Sequence, residues 1–131
     1  MGEGIILECS QCDYSEYFNL GVGMGYSSLS AVINEVSPAR RKTVKNLLAR
    51  KDVTEVDFEH RVYECPTCHL LAERFDYSIE YASGKVYRPY FLCGRCRTRM
   101  IPATGPLTEH ICPNCGARPL MVNESFHVDW D

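Results

Sequence analysis

All eight cysteines of the chain stand in C-x-x-C pairs: Cys9 and Cys12 in CSQC, Cys65 and Cys68 in CPTC, Cys93 and Cys96 in CGRC, Cys112 and Cys115 in CPNC. Two thiolates at this spacing sit on one tight turn and grip one face of a metal ion. Two such turns complete a tetrahedral shell of four thiolates, the arrangement of structural zinc sites. The pattern predicts two Zn2+ with all eight cysteines as ligands. Iron held as in rubredoxin is the alternative, because thiolate softness and tetrahedral shape do not separate the two metals. A disulfide framework scatters its cysteines more widely and belongs to secreted chains. A thioredoxin-like redox motif uses one such pair rather than four. His69, directly after Cys68 where glycine often finishes the turn, and His110, two before Cys112, are read as neighbours of the sites rather than ligands.

Four such knuckles pair in three ways. Fifteen residues separate Cys96 from Cys112, with strand-like RTRMIP and LTEHI flanking a turn at ATGP. A hairpin folded about residue 104 returns Cys112 beside Cys96 and leaves Cys9, Cys12, Cys65 and Cys68 for the other site. The rival joins Cys65/Cys68 to Cys93/Cys96, since AERFDYSIEY, ASGK and VYRPYFL also read as a hairpin. An interleaved pairing is the third. The sequential pairing is the expectation taken forward.

The elements that must position these turns follow from pattern. GIILEC reads as a strand into the first knuckle and YSEYFNL as the strand leaving it. SSLSAVINEVS reads as a helix with Ser27 or Ser28 as N-cap and Leu29, Val32, Ile33 and Val36 on one face. SPARRKTVKNLLARKD reads as a second, with Ser37 as cap, Pro38 at the first helical position and Val44, Leu47 and Leu48 as its apolar stripe. VDFEHRVYEC is a strand, and the remainder is β-rich to ARPLMVN. The expected fold is small, metal-stabilised and α+β or mainly β. It has two zinc ribbons, residues 1–81 with a helical insertion at about 24–51 between its knuckles, and residues 82–131 with an acidic tail.

Net charge is −3, but the charge is blocky. Residues 37–51 carry six bases and no acid, and residues 85–118 carry six bases against one acid, while the blocks beside them are acidic. No apolar run approaches the roughly 18 residues of a membrane span. The start carries no basic stretch of a secretory signal, so the chain is expected in the cytoplasm.

FNLGVGMGYSSLS, residues 18–30, looks like a phosphate loop. A Rossmann fingerprint would want glycine where Tyr26 stands, and a P-loop would want Gly-Lys-Ser/Thr, with no Lys before Lys42. A weaker anion site at Gly23, Gly25, Ser27 and Ser28 is the surviving expectation, beside a turn that glycine makes easy.

No G-x-S-x-G, H-E-x-x-H or P-loop motif appears, and two closed four-thiolate shells leave no open metal position, so no enzyme is expected. Binding remains. A protein-interaction adaptor is the leading reading, with Phe126 and Trp130 in the acidic tail as partner anchors. The alternative is a nucleic-acid-binding accessory module using Arg40, Arg41, Lys42, Lys45, Arg95, Arg97 and Arg99 on phosphates. Tyr77, Tyr81, Tyr87, Tyr90 and Phe91 offer stacking surfaces, and core packing is their plainer role. A rubredoxin-like electron carrier is the third.

The pieces MGEG, CSQC, LGVGMGY, ECPTC and CPNCG together resemble a family of small, uncharacterised bacterial zinc-ribbon proteins. The resemblance spans most of the chain apart from the middle hairpin. It implies metal binding and places Cys9, Cys12, Cys65 and Cys68 in one module; it carries no activity with it.

Overall fold

The computed structural model describes residues 2–21, 28–123 and 128–130. Strand β1 (Gly2–Cys9) and strand β2 (Ser15–Leu20) form an antiparallel hairpin closed by the first knuckle, with Ile5 opposite Phe18. The other edge of β1 takes two short strands from the end of the chain. β7 (Leu120–Val122) pairs with Leu7–Cys9, and the backbone of β8 (Val128–Trp130) pairs with Gly2–Gly4. Alternation along β1 turns Ile5, Leu7 and Cys9 inward, where they meet Phe18 and Leu120 as well as Val62 and Leu71 from a second sheet. Burial of each of these larger side chains is worth about 1.5–3 kcal/mol.

The second sheet has the order β5-β4-β3-β6, with β3 at Val53–Glu64, β4 at Leu71–Tyr81, β5 at Val86–Tyr87 and β6 at Ile101–Pro102. The β3–β4 hairpin is closed by the second knuckle, and its register sets Phe58 opposite Tyr77 and His60 opposite Phe75. Helix α1 (Pro38–Leu48) covers that face of the sheet: Val44 is fully buried against a cluster that includes Leu29, Val36, Phe75, Tyr77 and Ile79. Pro38 at the helix start loses no intrahelical bond there. The two sheets join where the backbones of Gly21 and His60 exchange hydrogen bonds of 2.9 and 2.7 Å. The Asn19 N–H also donates to Glu73 Oε1 at 2.5 Å. No described helix is long and apolar enough to cross a membrane.

Two expected elements differ. The predicted helix over residues 27–37 is, where described, a run of turns and one 3-10 turn at Ile33–Glu35. Ser28 still caps, its Oγ accepting the Ala31 N–H at 3.1 Å. The β-branched Val32, Ile33 and Val36 lower helix propensity, and Pro38 pushes Ser37 to an extended conformation. The hairpin about residue 104 does not form. Ile101–Pro102 pairs with β3 instead, and Leu107–Glu109 is a 3-10 turn. Pro102 and Pro106 supply no N–H to a ladder, so a regular hairpin there lacks donors.

Candidate metal centres and the basic face

The four knuckles share one backbone construction. In each, the N–H of the first cysteine donates to the carbonyl five residues on: Cys9 to Tyr14 (3.0 Å), Cys65 to Leu70 (2.9 Å), Cys93 to Thr98 (2.8 Å) and Cys112 to Ala117 (2.9 Å). In the last three, the residue after the second cysteine donates back to the carbonyl of the first, each at 3.0 Å. Those residues are His69, Arg97 and Gly116, with φ of 65°, 65° and 77°. Glycine adopts this left-handed conformation freely, whereas His69 and Arg97 do so at a cost on the order of 1 kcal/mol each. His69 thus stands where a knuckle would use glycine, and belongs to the turn rather than to the sulfur cluster.

The sulfurs gather in two groups of four, with each set of ligand atoms within 4.8 Å of one another. Cys9, Cys12, Cys112 and Cys115 form an outer cluster, with Sγ–Sγ separations of 3.6 Å for Cys9–Cys115 and 3.6 Å for Cys12–Cys112. Cys65, Cys68, Cys93 and Cys96 form an inner cluster, with 3.4 Å for Cys65–Cys96, 3.5 Å for Cys68–Cys93 and 3.8 Å for Cys68–Cys96. A tetrahedral ion with bonds of about 2.3 Å to sulfur needs edges of about 3.8 Å. Both sets fit a metal, and both bury two of the four cysteines.

The sequential pairing is therefore corrected to a nested one. The helix and β3 lie between the first outer knuckle and the first inner one, inside the long loop that the outer site closes. Without the hairpin at residue 104, Cys112 is carried to Cys9 by the β1–β7 pairing, and the turn after β4 returns the chain to bring Cys93 to Cys65. Each cluster takes one knuckle from either side of residue 81, where the sequence suggested a boundary.

Backbone N–H groups point at the sulfurs: Gln11 to Cys9 at 3.3 Å, Tyr14 to Cys12, Cys68 to Cys65 and Arg95 to Cys93, each at 3.4 Å. In the inner cluster, the Thr98 hydroxyl, 3.2 Å from Cys96 Sγ, leads in holding that thiol down to about 6. Cys93 is lowered chiefly by the Cys96 N–H. Cys68 goes the other way, to about 11: the Leu70 N–H favours its thiolate, but burial and the neighbouring sulfurs outweigh it. In the outer cluster, burial opposes ionisation of Cys112, yet the N–H groups of Cys115 and Asn114 bring it down to about 7. Cys12 rises to about 12, the Tyr14 N–H being outweighed by burial and the neighbouring sulfurs, and Cys115 also rises against the Ala117 N–H. Four thiols so close cannot all ionise by themselves; a divalent cation removes that conflict.

Beside the outer cluster, the Tyr14 hydroxyl is buried without a hydrogen-bond partner among the described residues, and burial first, then Glu16, pushes its pKa up to about 12. His110 lies outside the sulfur groups. Its Nδ1 is 2.7 Å from Glu64 Oε2 and its Nε2 2.9 Å from the Thr104 carbonyl, tying the end of β3 to the segment before the last knuckle. No protein-family model, curated protein or solved structure matches the chain.

The candidate basic residues divide. Arg41 donates to the carbonyls of Val36 (2.9 Å) and Asn34 (2.8 Å) and braces the turn before α1. Arg95 is engaged with the last knuckle, donating to the Pro113 carbonyl at 2.8 Å and to Asn114 Oδ1 at 3.3 Å. Lys42, Lys45 and Arg97 are exposed. Arg40 and Arg99 meet over one ring: their guanidinium carbons lie 4.6 and 5.3 Å from the centroid of Tyr90, which is 47% exposed. Arg40 also donates to the Tyr87 hydroxyl at 3.2 Å. Tyr77 and Tyr81 are core residues, as their plainer reading had it. Sequence pattern gave no reason to single out Tyr90, because nothing in it shows that two basic segments converge there. Of the expected anion site, Gly23, Gly25 and Ser27 lie outside the described residues, as does Phe126 of the tail, and the Ser28 hydroxyl is used as a cap.

Proposed function

We propose that the chain is a binding module held together by two structural Zn2+ ions, and that its partner is single-stranded nucleic acid. The tetrathiolate geometry of both clusters supports zinc in a closed, non-catalytic shell, and elemental analysis giving two zinc and no iron per chain tests that part. The observation that carries the partner is the convergence of Arg40 and Arg99 on the half-exposed ring of Tyr90, with Arg97, Lys42 and Lys45 exposed on the same two segments. An aromatic platform for a base, flanked by cations for the phosphates, is the construction single-strand binders use. Stacking on one aromatic residue is worth about 1–3 kcal/mol per base. Fluorescence anisotropy with labelled oligonucleotides at low salt should therefore show Tyr90→Ala weakening binding by about tenfold or more. Arg40→Glu with Arg99→Glu should weaken it further and flatten its salt dependence. No binding of any single strand by the unaltered protein at low salt overturns the reading.

One observation favours the adaptor. Leu92 and Ile101, 39% and 48% exposed, lie along the chain on either side of Arg99, and Leu92 bridges to Arg99. An exposed aromatic and two aliphatic side chains among cations suit an acidic peptide carrying an apolar anchor. Recovery of a stoichiometric protein partner that is lost with Tyr90→Ala, together with silence in the oligonucleotide assay, would select this reading.

A further inference from the structure

We infer that the two metal sites bind cooperatively, and that Arg95 is the positioning residue that couples them. This residue belongs to the inner knuckle Cys93–Cys96 and touches both sites. Its backbone N–H donates to the inner ligand Cys93 Sγ at 3.4 Å. Its guanidinium reaches the outer knuckle, donating from Nη1 to the Pro113 carbonyl at 2.8 Å and from Nη2 to Asn114 Oδ1 at 3.3 Å. Pro113 and Asn114 are the two residues between the outer ligands Cys112 and Cys115. The fork of Arg95 therefore holds the peptide units that join the two outer ligands. A planar guanidinium can do this with two donors at fixed angle, where an ammonium cannot.

Charge works in the same direction. Four thiolates around a divalent ion leave a loaded site formally at about −2, so two loaded sites side by side repel. Arg95 places a cation against the outer knuckle on a side chain that starts from the inner one. When the inner site is filled, its knuckle is fixed, and with it the backbone from which Arg95 extends. The outer knuckle then meets a preset clamp and loses less freedom on binding its own ion. By thermodynamic reciprocity, loading the outer site must favour the inner one by the same factor.

The experiment is a Co2+ titration of the metal-free full-length chain, read by thiolate-to-cobalt absorption and by competition with a chelator. The unaltered chain should load its second ion with an affinity at least tenfold above that of Arg95→Ala, while the first ion changes by less than threefold. Circular dichroism of the loaded variant should match the parent, since the Arg95 side chain is not part of the core. Arg95→Lys keeps the charge but not the fork, and should resemble Arg95→Ala. Asn114→Ala removes only one of the two bonds and should fall between. Equal second-ion affinity in the parent and Arg95→Ala overturns the coupling. Full recovery in Arg95→Lys overturns the hydrogen-bonded clamp.

Discussion

The two four-cysteine clusters use the same turn and close very different lengths of chain. The inner one joins knuckles separated by 24 residues, the outer one knuckles separated by 99. Loop-closure entropy alone favours the inner by about 1 kcal/mol. The larger difference is what stands between the knuckles. The inner loop is the β4–β5 hairpin, a local structure that forms its own hydrogen bonds. The outer loop is nearly the whole molecule, and the ladder beside which Cys112 meets Cys9 is only the short β1–β7 pairing. Nesting therefore makes the inner site a foundation and the outer site a clasp.

Loss of metal should show this most strongly. A structural four-cysteine site supplies on the order of 10 kcal/mol of folding free energy, so a strong chelator should unfold the chain entirely. Single ligands should separate the two sites. Cys93→Ser should abolish slow amide exchange everywhere. Cys9→Ser should abolish it in β1, β2 and β7 while α1, β3 and β4 keep measurable protection. Equal loss of protection throughout for both variants would mean that the clusters fold as one unit.

Core substitutions sharpen the same contrast at lower cost. Phe18, 1% exposed in the core beside the outer cluster, and Ile79, fully buried under α1, should each cost about 2–5 kcal/mol when cut to alanine. Phe18→Ala should lower the outer metal affinity while leaving the inner one within about threefold, a margin well under 1 kcal/mol. Ile79→Ala should lower both, and denaturant melts of the metal-loaded protein, with chelator competition for the two affinities, would read each effect.

How far these regions could be read in the sequence follows the same division. The knuckles were legible because a two-residue spacing between thiols is a local fact. So were β1, β2 and β3, apolar-containing runs that lead into or out of a knuckle, and α1, marked by Ser37-Pro38 and the stripe through Val44. The inner hairpin was visible in AERFDYSIEY and VYRPYFL, yet it competed with an apparent hairpin at ATGP. Pro102 and Pro106, which remove the donors such a hairpin needs, were the available signal against it. The outer pairing had no local signal, because it depends on three residues, Leu120–Val122, choosing the edge of β1. The reach of Arg95 to Asn114 depends on that choice, and the meeting of Arg40 with Arg99 at Tyr90 on α1 lying beside the inner loop; neither has a local signal.

Acidification should separate the clusters in a definite order. Metal binding expels the protons still held by the thiols, so affinity at both sites falls as pH falls. The inner cluster has two thiols held down, Cys93 and Cys96, the latter at about 6, against Cys68 raised to about 11. The outer has Cys112 at about 7 against Cys115 and Cys12 raised, Cys12 to about 12. Near neutral pH the outer cluster has more protons to lose, and it should release its ion first as pH drops. A zinc-sensitive dye, with Cys9→Ser as the inner-only reference, would follow the two releases; inner release first would reverse the assignment.

The smallest expected effect lies at Tyr14, where the outer region carries a cost the inner one does not. Its hydroxyl is buried without a partner among the described residues, while the ring packs in the core with Ile5, Leu7 and Phe18. Leaving a buried hydroxyl unsatisfied costs about 1–3 kcal/mol, and Tyr14→Phe keeps the ring while removing the oxygen. The variant should be more stable than the parent by about 1 kcal/mol. The gain should appear in the metal-loaded protein, because the N–H of residue 14 still donates to Cys12 Sγ whatever the side chain. Inner-site affinity should not move. A destabilised Tyr14→Phe would show instead that the hydroxyl is satisfied once the outer site is loaded, and would make it part of that site's support.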